Sequence, residues 1–159
     1  MKKILLLYLL IMIALFSSSP NLTVGDPTSW IERPIYASKV DMLFLFNSDS
    51  EFYEPYNLFT DRTVPNRKIG HIIVYACLAL LFFANFQHFR LPFRFLFAWV
   101  LTTLVGFCDE INQYFIVGRD GRIMDVALNS VAALVILITL ALLIIKKSRQ
   151  LSPKSDLKL

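Results

Sequence analysis

The residues best suited to chemistry lie in a polar stretch from Asp109 to Asn129, between two strongly apolar segments. The stretch reads DEINQYFIVGRDGRIMDVALN and holds four carboxylates and two arginines. A charged side chain near hydrocarbon costs about 2.5 kcal/mol or more, so such groups usually pair, line a wet cavity or serve a function. This stretch is therefore the first candidate for a binding or catalytic site.

Other polar residues recur at helical spacing, three or four positions apart, on the segments around this stretch. The sets are Lys68, His71 and Tyr75; Glu110 and Gln113; and Asp125 and Asn129. Each set shares one helical face, and all three lie at the same end of their segments. They predict one polar cluster built from three helix ends and a loop.

The two carboxylates after the third apolar segment, Asp109 and Glu110, need cationic partners, because a helix C-terminus and each other's charge oppose them. The available cations predict pairing with Lys68, Arg119 or Arg122. These groups can also bind a ligand. The predicted ligand-binding residues are Lys68, His71, Tyr75, Asp109, Glu110, Gln113, Arg119, Arg122, Asp125 and Asn129.

The composition indicates which kind of element holds these residues in place. A content of 56% hydrophobic and 14% aromatic residues is typical of an integral membrane protein, and its spans are helices. Four apolar segments predict helices at about 4–19, 69–86, 91–108 and 123–145. The predicted fold is a single all-α membrane domain over 1–159. It is a bundle of four transmembrane helices, with a long extracytoplasmic loop (20–68) between helices 1 and 2 and a cytoplasmic tail (146–159).

The first segment and the long loop each need an interpretation of their own. The first segment fits a retained signal-anchor helix, which Pro20 favours, or a cleavable signal peptide. The long loop predicts a cap on the membrane surface, with its aromatic residues at the interface. Those residues are Trp30, Phe44, Phe46, Phe52, Tyr53, Tyr56 and Phe59. Cys77 and Cys108 are expected as buried small apolar residues rather than a disulfide.

The distribution of basic residues predicts the orientation. With both termini inside, the inner side holds nine of the 16 lysines and arginines but only one of the 12 acids. This asymmetry follows the positive-inside rule and places the cluster at the outer leaflet of the cytoplasmic membrane. The net charge of +4 is thereby explained as membrane anchoring, and no nucleic-acid partner is predicted.

These spacings resemble the VanZ-like family of small bacterial membrane proteins. The resemblance rests on three pieces in order: Lys68 with His71 and Tyr75; Asp-Glu-x-x-Gln-x-Phe-x-x-Gly-Arg over 109–119; and Asp125 with Asn129. Arg67, Val117 and Ala132 depart from the residues usual in the family. The resemblance implies a role in the cell envelope, and the name-giving member is associated with low-level resistance to the lipoglycopeptide teicoplanin.

Three functions remain open at this point. The cluster binds the headgroup of an amphiphile, such as a membrane lipid, a lipid-linked wall precursor or the lipid-tailed antibiotic. Alternatively it is enzymatic, with His71 as general acid or base and Glu110 or Asp125 tuning it or holding a divalent cation. No nucleophile motif or phosphate loop supports that reading, and no cofactor or dedicated metal site is predicted. The third alternative is a structural or assembly subunit whose network only joins helices. The oligomeric state is not predicted.

Overall fold

Four α-helices dominate the computed structural model, which describes residues 1–19, 33–37, 41–55 and 64–151. The helices are α1 (Lys2–Ser18), α2 (Val64–Asn85), α3 (Leu91–Tyr114) and α4 (Ile123–Leu151). Two short 3₁₀ helices, Met42–Phe46 and Glu51–Tyr53, lie between α1 and α2. Within the described ranges there is no β-strand, and the predicted all-helical class is confirmed.

Three of the helices are long and apolar enough to cross a membrane: Lys68–Asn85, Leu91–Tyr114 and Ile123–Gln150. The 17 residues of α1 span about 26 Å, whereas a hydrocarbon core is about 30 Å thick. The helix packs against α2 and α3 nevertheless. Its role as a fourth span therefore stays a prediction.

The helices extend beyond the apolar segments that predicted them. α2 begins at Val64 rather than at 69, α3 continues to Tyr114 rather than ending at 108, and α4 reaches Leu151 rather than 145. Hydropathy detects only the apolar part of a helix, whereas backbone hydrogen bonding continues through polar residues. As a consequence, the predicted site residues at 109–113 lie inside α3 and not in the following loop.

The core forms where α2, α3 and α4 pack on one another. Small side chains such as Ala79, Ala98 and Ala133 are fully buried there and let the backbones approach closely. Cys77 and Cys108 are free thiols, but both are exposed on the outside of the helices, so their predicted burial is wrong. The reason is that an apolar residue in a membrane helix is not driven into the protein interior, because lipid is an equally apolar neighbour.

The described part of the segment between α1 and α2 folds over the end of α3. Phe44 stacks on Tyr114 with ring centroids 4.1 Å apart, and Phe52 packs edge-on against Phe44 at 5.2 Å. Phe44 and Phe52 are buried against protein, which corrects their predicted position at the membrane interface, whereas Phe46 and Tyr53 are exposed. Trp30, Tyr56 and Phe59 lie outside the described residues.

A short backbone pairing holds the same segment to the α3–α4 loop. The amide of Ala37 donates to the carbonyl of Phe115, and that of Val117 donates to the carbonyl of Ile35, both at 2.9 Å. These two hydrogen bonds therefore hold the loop after α3 in place before α4 begins.

Candidate functional site

Three residues on one face of α2 contact three different partners on α3 and α4. Lys68 forms an ion pair with Asp125 near the start of α4. One turn further along α2, the imidazole of His71 faces Glu110 on α3. The hydroxyl of Tyr75 donates to Asp109 Oδ2 at 2.8 Å. The predicted face of α2 is thus the one turned toward the other helix ends.

Asp109 connects α2 to the loop through a chain of hydrogen bonds. Its Oδ2 also accepts from Gln113 Nε2 at 3.0 Å, one turn further along α3. Gln113 Oε1 in turn accepts from Arg119 Nη2 at 2.8 Å. Asp109 is 8% exposed and Gln113 2% exposed, so these bonds form largely away from water, where each is stronger.

Glu110 is fully buried between α3 and the start of α4. Its Oε2 accepts from the backbone N–H of Arg122, the residue before α4, at 3.1 Å. A helix N-terminus favours a carboxylate at this position. Its Oε1 lies 3.8 Å from His71 Nδ1, which is longer than a hydrogen bond.

The α3–α4 loop reaches Glu110 because of two glycines. Gly118 has φ of 86°, a conformation that other residues rarely adopt. At Gly121, a Cβ atom would overlap the carbonyl oxygen of Glu110 and the amide of Tyr114. Gly121 therefore lets the loop lie directly on the end of α3, which brings the Arg122 amide within reach of the carboxylate.

A third glycine, Gly106 on α3, makes room for Tyr75 of α2 and Asn129 of α4. A Cβ there would lie 3.3 Å from the Tyr75 ring and 3.4 Å from Asn129 Cβ. Asn129 is fully buried, and among the residues that the structure describes neither of its amide atoms has a hydrogen-bond partner.

The ion pairing differs from the predicted one. Lys68 pairs with Asp125, and the guanidinium of Arg122 donates to the carbonyl of Pro55 at 3.1 Å and lies 3.8 Å from Asp120. Arg122 meets Glu110 with its backbone instead of its charge. Helical spacing gave the right faces but not the partner that each side chain reaches across helices.

A pocket of about 240 Å³ lies beside this network. Residues of the α3–α4 loop, including Arg119 and Arg122, line it together with the second 3₁₀ helix. The residues around it are Glu51, Glu54, Tyr114, Arg119, Asp120, Gly121 and Arg122. It combines charges of both signs, which suits a polar or zwitterionic group rather than an apolar one.

The structure thus brings all ten predicted site residues to one end of the helices, while their role in binding stays a prediction. Sequence reasoning missed the pocket acids Glu51 and Glu54 and the space-making Gly106 and Gly121. It also missed the link to α1, where Asn112 Nδ2 donates to the hydroxyl of Ser17 at 2.9 Å. The spacing of glycine from the polar motifs was a usable signal, whereas nothing in the sequence connects Glu51 to Arg119.

The comparisons with known proteins agree with this geometry at the level of the family. No curated protein and no solved structure matches the chain significantly. The sequence profile of the VanZ/LLP1 family matches residues 3–145, which includes every residue of the cluster and all but the last turns of α4. The chain therefore belongs to the VanZ/LLP1 family.

Proposed function

We propose that this protein spans the cytoplasmic membrane four times, with both termini inside, and binds the polar head of a membrane amphiphile at its outer cluster. Supporting a fourth span, α1 packs on α2 and α3, and the Ser17 hydroxyl lies 3.4 Å from the carbonyl of Asp109. A retained α1 thereby borders the cluster. The ligand is a lipid, a lipid-linked wall precursor or a lipid-tailed glycopeptide such as teicoplanin, and resistance would follow from that binding.

The observation that carries this proposal is the pocket lined by Arg119 and Arg122 at the end of membrane-length helices. Guanidinium pairs well with phosphate and carboxylate, because its N–H groups form a planar fork. The pocket acids Glu51, Glu54 and Asp120 would meet ammonium or hydroxyl groups of the same head. The ligand's chain would lie along the apolar outer faces of the helices.

The test is equilibrium binding to the full-length protein in nanodiscs. The probes are a short-chain polyprenyl phosphate, teicoplanin and a glycopeptide without a lipid tail. Losing one charge-assisted contact to phosphate corresponds to about 1.5 kcal/mol or more, so Arg119→Ala and Arg122→Ala should each weaken binding about tenfold. Arg149→Ala, on the exposed inner end of α4, is the matched control and should bind normally.

The three probes separate two of the ligand classes, the lipid-linked wall precursor and the lipid-tailed antibiotic. Tighter binding of teicoplanin than of the tailless glycopeptide would assign the antibiotic, and tight binding of the polyprenyl phosphate would assign a wall precursor. Equal affinity of wild type, Arg119→Ala and Arg122→Ala for every probe would refute the proposal.

A second candidate is an enzyme acting on a phosphoryl or acyl group of such an amphiphile. The observation that favours it is that His71 Nδ1 lies 3.8 Å from the buried carboxylate of Glu110, because a carboxylate that closes on an imidazole can orient it as a general base. Asp125 is the alternative orienting acid. Incubation of the protein with labelled lipid-linked precursors would test this, with His71→Ala as the inactive variant. Absence of conversion over all precursors would reject it.

A further inference from the structure

Three side chains that cluster at the helix ends each hold a buried polar atom without a hydrogen-bond partner. These atoms are His71 Nδ1, Asp109 Oδ1 and Glu110 Oε1, and none of them has a partner among the described residues. One ligand-type atom from each of these residues lies within 4.8 Å of the other two. Buried polar atoms are rarely left unsatisfied, so a group of three around one point needs an explanation.

The other oxygen of each carboxylate is held by protein donors. Asp109 Oδ2 accepts from Tyr75 and Gln113, and Glu110 Oε2 accepts from the Arg122 amide. These bonds fix the orientation of the carboxylates and leave Oδ1 and Oε1 directed elsewhere. Donors that hold the outer oxygen of a ligating carboxylate are typical of metal sites.

The distances fit a metal ion better than a direct contact. His71 Nδ1 and Glu110 Oε1 are 3.8 Å apart, too far for a hydrogen bond. Zinc binds imidazole nitrogen and carboxylate oxygen at about 2.0–2.2 Å, so two of its ligands stand roughly 3.3 Å apart in a tetrahedral site. A shift of a few tenths of an ångström in each of these two side chains would therefore bring both to coordination distance.

The charges of Asp109 and Glu110 also favour a bound cation. Two adjacent carboxylates in a dry environment repel each other and lose their hydration, and a divalent cation offsets both effects. One imidazole nitrogen with two carboxylate oxygens is a donor set that divalent transition metals such as Zn²⁺ and Mn²⁺ accept. Three protein ligands would leave at least one coordination position for water or a ligand.

We infer that His71, Asp109 and Glu110 form a binding site for one divalent transition-metal ion. This goes beyond headgroup binding, which uses the arginines of the pocket. Failure of one proposal is distinguishable from failure of the other, because Arg119→Ala and Arg122→Ala leave all three metal ligands in place.

The test uses full-length protein purified in detergent on a tag without histidine. The protein is stripped with a chelator, titrated with Zn²⁺, Mn²⁺ or Mg²⁺, and desalted before its metal content is measured. Wild type should hold one Zn²⁺ or Mn²⁺ per chain, with Mg²⁺ bound more weakly. Glu110→Gln and His71→Ala should weaken metal binding by at least about tenfold. In metalloproteins generally, removing even a residue that hydrogen-bonds to a metal ligand weakens binding by about that factor.

The chain offers matched controls. His88→Ala removes its other histidine, which is exposed at the opposite end of the bundle. Cys77→Ala with Cys108→Ala removes both thiols that could bind zinc adventitiously. Both controls should retain one ion per chain. Unchanged metal affinity in Glu110→Gln and His71→Ala, or loss of the ion in the controls, would overturn the inference.

A readout on wild type alone covers the case in which the site variants do not fold. Pulsed electron paramagnetic resonance of the Mn²⁺-loaded protein should show coupling to a nitrogen nucleus, because His71 binds the ion directly. A spectrum with no nitrogen coupling would overturn the inference whatever the variants do.

Discussion

At the scale of single residues, each cation of the cluster has its own partner, which the sequence alone does not predict. Lys68, Arg119 and Arg122 are equally plausible partners for the acids in the sequence. In the structure Lys68 meets Asp125, Arg119 meets Gln113, and Arg122 offers Glu110 its backbone amide. Spacing along one helix predicts a shared face, but the partner depends on how far each neighbouring helix is rotated and shifted, which spacing does not contain.

The pair of Lys68 with Asp125 gives a prediction at this scale. Asp125 is almost fully buried, so Lys68→Met leaves a carboxylate without this cation and should destabilise the protein by about 3 kcal/mol. Adding Asp125→Asn should recover part of that loss, because the second variant removes the buried charge with which Lys68 pairs. A double-mutant cycle of unfolding free energies in detergent measures the coupling. Strict additivity would show that the two side chains do not interact.

At the scale of the elements, three helix ends and one loop define the site. Helical periodicity predicted the faces of α2, α3 and α4 because a polar residue every three or four positions is a strong signal. It placed the end of α3 six residues too early, since the polar residues that continue the helix lower its hydropathy. The fit of the loop on α3 depends on Gly121. The only signal of that role in the sequence is the spacing of the glycine from the polar motifs.

Gly121→Ala should disrupt the cluster through this loop. The added methyl would overlap the backbone of α3, so we expect a loss of about 1–3 kcal/mol and a displaced Arg122 amide. Gly70→Ala is the matched control, because nothing lies within 4 Å of a Cβ there, and in a helix it should be neutral or slightly stabilising. Thermal unfolding in detergent compares the two. Equal melting temperatures would contradict the proposed close approach.

The structural alternative predicts a different pattern at the same scale. If the network only joins helices, Glu110→Gln and His71→Ala will unfold the protein without a separate functional defect. The inferred metal site predicts instead that at least one of them remains folded in detergent and loses metal binding. Melting temperature and metal content measured on the same samples distinguish these outcomes.

At the scale of the whole molecule, composition and charge asymmetry predicted a helical membrane protein, and the helical class is confirmed. The segment between α1 and α2 was the least predictable part, because its few apolar residues have no helical period. Its Phe44 and Phe52 pack on Tyr114 in contacts between residues distant in sequence, which composition does not reveal.

The predicted topology can be tested with single cysteines introduced into a variant lacking Cys77 and Cys108. Ser48→Cys lies in the outer segment, whereas Lys3→Cys and Ser148→Cys lie at the two inner ends, and all three positions are exposed. A membrane-impermeant maleimide should label the first in intact cells and the other two only after permeabilisation. Labelling of Lys3→Cys in intact cells would show that α1 does not cross.

The most direct measurement is an electron cryo-microscopy structure of the protein in a nanodisc with the tightest-binding probe, enlarged by a bound antibody fragment. We expect density for the polar head in the pocket beside Arg119 and Arg122, with the acyl chain running along the outer faces of the helices. Saturated binding with the head located away from both arginines would contradict it.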